Sequence, residues 1–460
     1  MEHPAVSRVK SRIKRIRAQW IVPISTSPFL DGEIVSDGES IVDLRTIPSG
    51  RSERDDILDY GDAILMPAFV NVHTHVDYTV MRGLLEDLPF FPWVRGMVEL
   101  KERLTEEDWI WSARLGIAEA LSAGVGTIGD CSSTGAALQA ALESKIRGIV
   151  YQEVFGIDPS LNIATALEDV ENLILEQQRK CNGTNVTAGI SPHSPYTCNQ
   201  RMLEGVSKLR EKLKIPLCIH AAESPGESQL IREGRGVIAE MFSRRRIPWT
   251  AEGVSPVAYL EKRGIIGEKT LLVHAVQMEA SDVAIMSENR CSLAHCPKSN
   301  AKLCNGRAPM ELVGAFTESP GIPVGIGTDS MASNNRMDMF EEMRFALLLM
   351  RAFRRDCTAH DTRKVLEMAT IGGAKALGME ALTGSLEIGK KADLTVVNAR
   401  SLSMTPCHDP LSALVHAASS SDVLATFVNG EALFLDGEIR GMEMERAIQK
   451  VKEIAIKLKG

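Results

Sequence analysis

The stretch Ala63-Ile64-Leu65-Met66-Pro67-Ala68-Phe69-Val70, continued by Asn71-Val72-His73-Thr74-His75, decides the fold. Its apolar run from Leu65 to Val72 reads as a buried β-strand. Side chains two apart on a strand share a face, so His73 and His75 emerge together at the strand's C-terminal tip. Two neutral imidazoles in that position form half of a metal site. Taken alone, the pair would equally suit two surface histidines in a loop, and the rest of the chain has to decide.

Working outward, short apolar strands alternate with helical stretches from Leu65 to about Gly378. After Leu65 to Val72 come Gly126 to Asp130, Arg147 to Phe155, Val186 to Ser191, Pro216 to His220, Thr270 to His274, Cys291 to His295 and Pro323 to Thr328. Between them lie amphipathic stretches such as Glu106 to Ala123 and Met339 to Arg354. Eight β and α units spread over about 300 residues fit an α/β protein of the (β/α)8 TIM-barrel type better than an open sheet. Before residue 63 the pattern is short β-type runs cut by Pro, Gly and Asp turns. It returns after Gly378, in Ala392 to Val397 and Val423 to Val428. The expected organisation is 1–62 and 379–460 meeting in one small β-sandwich domain beside a 63–378 barrel, with a final helix from about Met442 to Lys459.

Composition narrows the function classes. The 460 residues are 44% hydrophobic, enough for a large core. A net charge of −8 and a pI near 5.8 offer no general attraction for nucleic acid or an anionic membrane. The basic start, Arg8 to Arg17, alternates charge with apolar residues and reads as an edge strand with one solvated face. No secretory leader and no run of 18 apolar residues occurs. The nine cysteines are scattered, odd in number and without a C-x-x-C pair. That is the pattern of a reduced, soluble, cytoplasmic chain. Gly124-Val125-Gly126-Thr127-Ile128-Gly129 matches the dinucleotide glycine pattern, but it follows a helix and enters a strand, the reverse of a pyrophosphate cradle.

In a barrel enzyme the chemistry sits where strands end. Strand one delivers His73 and His75, and strand four is followed by His193. Strands five, six and seven end in His220, His274 and His295, and strand eight reaches Asp329. Scattered placement would not put so many histidines at these ends. Three imidazoles and a carboxylate, from His73, His75, His220 and Asp329, suit one divalent ion, Zn²⁺ or Fe²⁺, with a position left for water. Glu223, three residues past His220, could reach the reacting centre and carry a proton, or serve as a helix N-terminal acid. His274 is placed to hold an attacking hydroxide or polarise a substrate, and His295, before Cys296-Pro297, to shape a loop.

These residues resemble the amidohydrolase superfamily, in its deaminase and chlorohydrolase branch. That branch includes S-adenosylhomocysteine/methylthioadenosine deaminases, aminodeoxyfutalosine deaminase, guanine and cytosine deaminases and triazine hydrolases. The matching segments are Met66 to His75, Pro192-His193-Ser194-Pro195-Tyr196, His220-Ala221-Ala222-Glu223, Val273-His274-Ala275, Ala294 to Asn300, Gly327-Thr328-Asp329-Ser330 and Gly384 to Leu394. The resemblance implies one divalent ion, zinc before iron, since Asn185 to Tyr196 lacks the lysine of two-metal branches. It also implies that Asp329 takes a proton as water attacks an amidine-like carbon, that His274 steadies the hydroxide, and that Glu223 protonates the ring nitrogen before ammonia leaves. His193 matches a residue near substrate. The implied partner is a small heteroaromatic molecule, foremost an adenine nucleoside attacked at its 6-amino group, with guanine, pterin, cytosine or triazine substrates as the alternative. A homodimer or larger homo-oligomer is the family expectation, with no nucleic acid or membrane partner. Trp93, in the loop after strand one, either stacks on a flat ring or packs that loop on the barrel. Arg336 either meets a substrate carboxylate or forms a surface ion pair.

Overall fold

The computed structural model describes residues 14–47, 57–314, 321–358 and 361–459. Seven parallel strands follow one another round the larger sheet: Phe69–His75, Val125–Ser132, Arg147–Val154, Val186–Pro192, Leu217–Ala221, Thr270–His274 and Ser292–His295. The eighth position is a broken strand. Its first piece, Val324–Ile326, pairs with Ser292–His295, and its second, Asp329–Ser330, pairs with Phe69–His75. The break at Gly327-Thr328 therefore joins the last strand to the first and closes the barrel. Asn71 spans this seam: its side-chain amide donates to Thr328 Oγ1 at 2.8 Å and its Oδ1 accepts the Thr328 backbone N–H at 3.1 Å. Helices including Glu106–Ser122, Ile163–Cys181, Gln200–Leu213 and Met339–Arg354 alternate with the strands. Among the described residues no helix is long and apolar enough to cross a membrane.

The expected strand from Leu65 to Val72 is two strands in two sheets. Ala63–Pro67 pairs with Arg15–Ile21 and with Leu394–Asn398, while Phe69–His75 enters the barrel. Pro67 supplies no N–H for a continued ladder, and the Ala68 N–H turns to the Asp393 carbonyl at 3.0 Å. An unbroken apolar run thus conceals a change of sheet.

Both chain ends meet in one mixed, nine-stranded sheet. The expected sandwich is continuous in its hydrogen bonding, and strands from both ends bury a common apolar cluster that includes Ile16, Ile34, Leu65, Leu394 and Phe427. Of the basic start, residues 8–13 lie outside the described residues. The remainder is not an edge strand: Arg15–Ile21 pairs with Phe29–Ser36 on one side and with Ile57–Asp59 and Ala63–Pro67 on the other. Its arginines tolerate an interior strand because Arg15 and Arg17, with Arg45, converge on buried Glu33 at 2.7 to 2.9 Å. Burial would raise the Glu33 carboxyl, but the three guanidinium hydrogen bonds override it and hold it at about 2.

The terminal sheet is joined to the barrel by a buried ion pair, Arg147 Nε to Asp393 Oδ2 at 2.6 Å. Thr395 and Thr426 add hydroxyl hydrogen bonds to the carbonyls of Gly124 and Leu121, each 2.8 Å. The C-terminal helix, Met444–Lys459, packs on Glu106–Ser122.

Candidate active site

The first strand carries one extra residue against the second, Asn71 to Thr74 facing Ile128 to Asp130. Such a bulge re-aims the side chains that follow it. Val70 and Val72 stay in an apolar cluster with Ile149 and Tyr151, while the rings of His73 and His75 stand edge to face with centroids 5.0 Å apart. His220, at the end of the fifth strand, lies 4.9 Å from His73 and 5.5 Å from His75 between ring centroids. One ligand atom from each of these three imidazoles lies within 4.8 Å of the others, and all three residues are buried. Asp329 Oδ1 faces them, 3.5 Å from His73 Nε2 and 3.7 Å from His75 Nε2.

These separations are long for hydrogen bonds, and they suit ligands that each stand about 2 Å from a shared cation. Two further observations fit a metal. His73 Nε2 is buried without a hydrogen-bond partner. His220 Nδ1 lies 2.8 Å from the His193 carbonyl, which fixes the ring and frees Nε2 for a ligand role. The carboxylate is aimed in the same way: Ser299 and Ser333 hydroxyls donate to Asp329 Oδ2 at 2.6 and 2.9 Å, leaving Oδ1 for the imidazoles.

Electrostatics separates the groups. Burial, followed by the charge of His73, keeps His75 well below the ordinary histidine value, and burial with His193 and His73 does the same for His220. Both rings are neutral, as ligation needs. Burial opposes charge on His73 and on Asp329, but contacts with Asp329 and Cys218 override it for His73, lifting it to about 10, and contact with His73 and the charge of His274 hold Asp329 well below the carboxylate range.

Beside this cluster, Glu223 and His274 face each other, with 3.7 Å between Oε1 and Nε2. Burial and then the charges of Asp329 and Glu227 push the Glu223 carboxyl well above its ordinary value, so it retains a proton. His274 falls to about 4, chiefly by burial, and its Nδ1 engages Asn300 Oδ1 at 2.8 Å. Asn305 donates to Glu223 Oε1 at 3.3 Å. Glu227 accepts the backbone N–H groups of Ala222 and Glu223 at 2.8 and 2.9 Å, pinning the loop that carries the acid. Ala222, His274, Ala275 and Asp329 all have positive φ, between 47° and 75°. Left-handed backbone at non-glycine positions is costly and persists where surrounding structure imposes it, often at functional sites.

The remaining expected residues fall into place unevenly. His193 sits 4.8 Å from His220 between ring centroids, and its Nδ1 lies 2.9 Å from Thr197 Oγ1. Trp93 lies on a helix, Phe90–Lys101, where a loop was expected. It stacks on Phe90 with 6.4 Å between centroids and, among the described residues, on none of the histidines. Arg336, half exposed, pairs with Glu341 at 2.7 Å and with the buried Asp338 at 3.4 Å. His295 ends its strand buried and is held at about 3, first by burial. Sequence reasoning passed over Ser333, Asn305 and Glu227 because each acts from a loop or helix after the strand end. A cleft of about 330 Å³ is lined by Phe90, Phe91, Val237, Leu303 and Asn305, none of its lining side chains is charged, and Asn305 ties its wall to Glu223.

A family model described as "Amidohydrolase family" matches residues 64–433. A 5-methylthioadenosine/S-adenosylhomocysteine deaminase of Syntrophomonas wolfei is 33% identical over 445 residues, covering 96% of this chain and 98% of that protein. An adenosine deaminase from Xanthomonas campestris, crystallised with bound zinc, superposes with a TM-score of 0.86 at 26% identity, covering 98% of this chain and 99% of that one. The aminofutalosine deaminase of Helicobacter pylori, in complex with methylthio-coformycin, gives 0.75 at 22% identity over 92% of this chain and 100% of that one; at that identity it speaks for the fold alone.

Proposed function

The chain belongs to the amidohydrolase family, and on that premise we propose that it is a metal-dependent hydrolytic deaminase that releases the 6-amino group of an adenine nucleoside as ammonia. One arrangement carries the reaction type: two buried carboxyls border one imidazole cluster, Asp329 facing His73 and His75 at 3.5 and 3.7 Å and Glu223 facing His274 at 3.7 Å, in surroundings that push Glu223 up and Asp329 down. Environments that push two titrating groups apart in this way assign one as proton donor and the other as acceptor.

In this reading His73, His75, His220 and Asp329 hold one zinc ion. The donor set suits zinc, and the Xanthomonas relative contains it. A cation there supplies Lewis acidity and brings the pKa of water toward neutrality. Asp329 accepts a proton from the attacking water, which His274 orients through Nε2. Glu223 gives its proton to the ring nitrogen beside the carbon under attack. It then takes up the remaining hydroxyl proton, while the proton held by Asp329 passes to the departing amine. One proton of water thus leaves on ammonia, the other restores the acid form of Glu223 whose own proton stays on the ring nitrogen, and the water oxygen remains as the ring carbonyl. The uncharged cleft whose wall includes Asn305, the partner of Glu223, suits an apolar or neutral part of a small molecule. The naming of relatives that align over nearly the whole chain supports an adenine nucleoside over other rings.

The test is to incubate zinc-loaded protein with 5′-methylthioadenosine, S-adenosylhomocysteine, adenosine, guanine, a pterin and a chlorotriazine, and to measure ammonia and chloride. Ammonia from the adenine nucleosides is expected. Chloride from the triazine, with no ammonia from any nucleoside, overturns the reading.

A further inference from the structure

Each imidazole of the ligand set has a second ring nitrogen, and what that nitrogen meets fixes the tautomer, the orientation of the ring and its strength as a ligand. For His220 the outer partner is the His193 carbonyl, 2.8 Å from Nδ1. His75 has none among the described residues, since its Nδ1 is buried and unmatched. For His73 the partner is sulfur: Cys131 Sγ lies 3.9 Å from Nδ1. Cys218 completes the group, with one ligand-type atom each of His73, Cys131 and Cys218 within 4.8 Å of the others. The two thiols also hydrogen-bond each other. All three residues are 0% exposed.

The strand pattern explains the convergence. Cys218 stands two positions before His220 on the fifth barrel strand, so both side chains point to the barrel axis, one layer apart. Cys131 comes from the second strand, Val125–Ser132. Both belong to the apolar cluster of Val70, Val72, Ile149 and Tyr151, beneath the histidines. They therefore meet His73 on the side away from Asp329, which faces Nε2. A buried cysteine commonly serves as a small hydrophobe. Packing alone does not account for this pair, because a purely apolar side chain in its place would leave the buried Nδ1–H of His73 without an acceptor.

We propose that Cys131 and Cys218 are positioning residues for the metal centre, their sulfurs accepting the Nδ1–H of His73 and so presenting its Nε2 lone pair to the ion. This rests on the zinc reading above and adds two residues outside the ligand set. Sulfur is a weak acceptor and a hydroxyl oxygen a better one. Serine at these positions therefore keeps the function, and alanine removes it.

The experiment measures zinc affinity by competition with a chromophoric chelator for the wild type, Cys131→Ser/Cys218→Ser and Cys131→Ala/Cys218→Ala. It also records the melting of the zinc-free proteins and the visible spectra of their cobalt-substituted forms. The alanine variant should bind zinc about 10- to 100-fold more weakly, and the serine variant should return to near the wild-type affinity. Any cost of repacking is read separately, in the zinc-free melting temperatures. The cobalt bands should shift in both variants as the acceptor behind His73 changes. An alanine variant with wild-type affinity overturns the proposal. So does a serine variant as weak as the alanine one, because the thiols then act through packing alone. A sulfur-to-cobalt charge-transfer band in the wild type, a result that needs no variant to fold, overturns it by making the thiols ligands themselves. Wild-type protein that takes up no zinc strikes the metal reading instead, which separates the two failures.

Discussion

At the scale of single residues, the site depends on pairs whose environments oppose each other. Glu223 is the sharpest case: buried, 3.7 Å from His274, and close enough to Asp329 for that anion to help keep it protonated. In the proposed cycle Glu223→Gln removes the transferable proton while conserving shape and the Asn305 contact. Turnover should fall by about 10² to 10⁴, with zinc content by elemental analysis unchanged; activity near the wild-type level would remove Glu223 from the proton path. The sign of the pH dependence follows. Glu223 works in its acid form, so kcat should hold across neutral pH and decline on the alkaline side as its raised pKa is passed, and the variant's residual rate should lack that limb. His73, His75, His220, Glu223, His274 and Asp329 were all legible as strand-end residues in the sequence. The outer contacts were not. Ser299 and Asn300 sit in a recognisable motif, but nothing in their spacing tells that one grips Asp329 and the other His274.

At the scale of elements, two irregularities shape the centre. The bulge in the first strand turns both histidines to the cluster, and the break in the eighth swings Asp329 from the seventh strand's side to the first's. The second depends on Gly327, where a Cβ would stand 2.9 Å from both the His73 Cβ and its carbonyl oxygen. Gly327→Ala must therefore displace His73 or the break itself. We expect a loss of about 1–3 kcal/mol in stability together with reduced zinc occupancy, read by thermal unfolding and metal analysis on the same preparation. Full occupancy with unchanged melting would mean that the backbone yields without cost. Periodicity marks where strands lie, and the sequence located each of these. It carries no record of a one-residue bulge, nor of the sheet change at Pro67-Ala68, because both halves of that run are equally apolar and equally buried.

At the scale of the whole molecule, barrel and terminal sheet are coupled through charges removed from water. Arg147 and Asp393, 246 positions apart, are both buried, with side chains 5% and 0% exposed. Removing one partner of such a pair leaves an uncompensated charge inside. Asp393→Ala should cost about 3–5 kcal/mol, seen as a lower midpoint in urea denaturation. A shift below about 1 kcal/mol would show that the junction relaxes and lets water reach Arg147. The sequence by itself determined the alternation of strands and helices, the return of β-structure at both ends, and the order in which chemistry-bearing residues reach the strand tips. These are local properties, set by burial patterns a few residues long. Only the tertiary structure decided that residues from His73 to Asp329 share one cluster, which carboxyl keeps its proton, and that two thiols stand behind His73. Desolvation and charge coupling are sums over neighbours brought from distant parts of the chain, and they take values only after the barrel has closed.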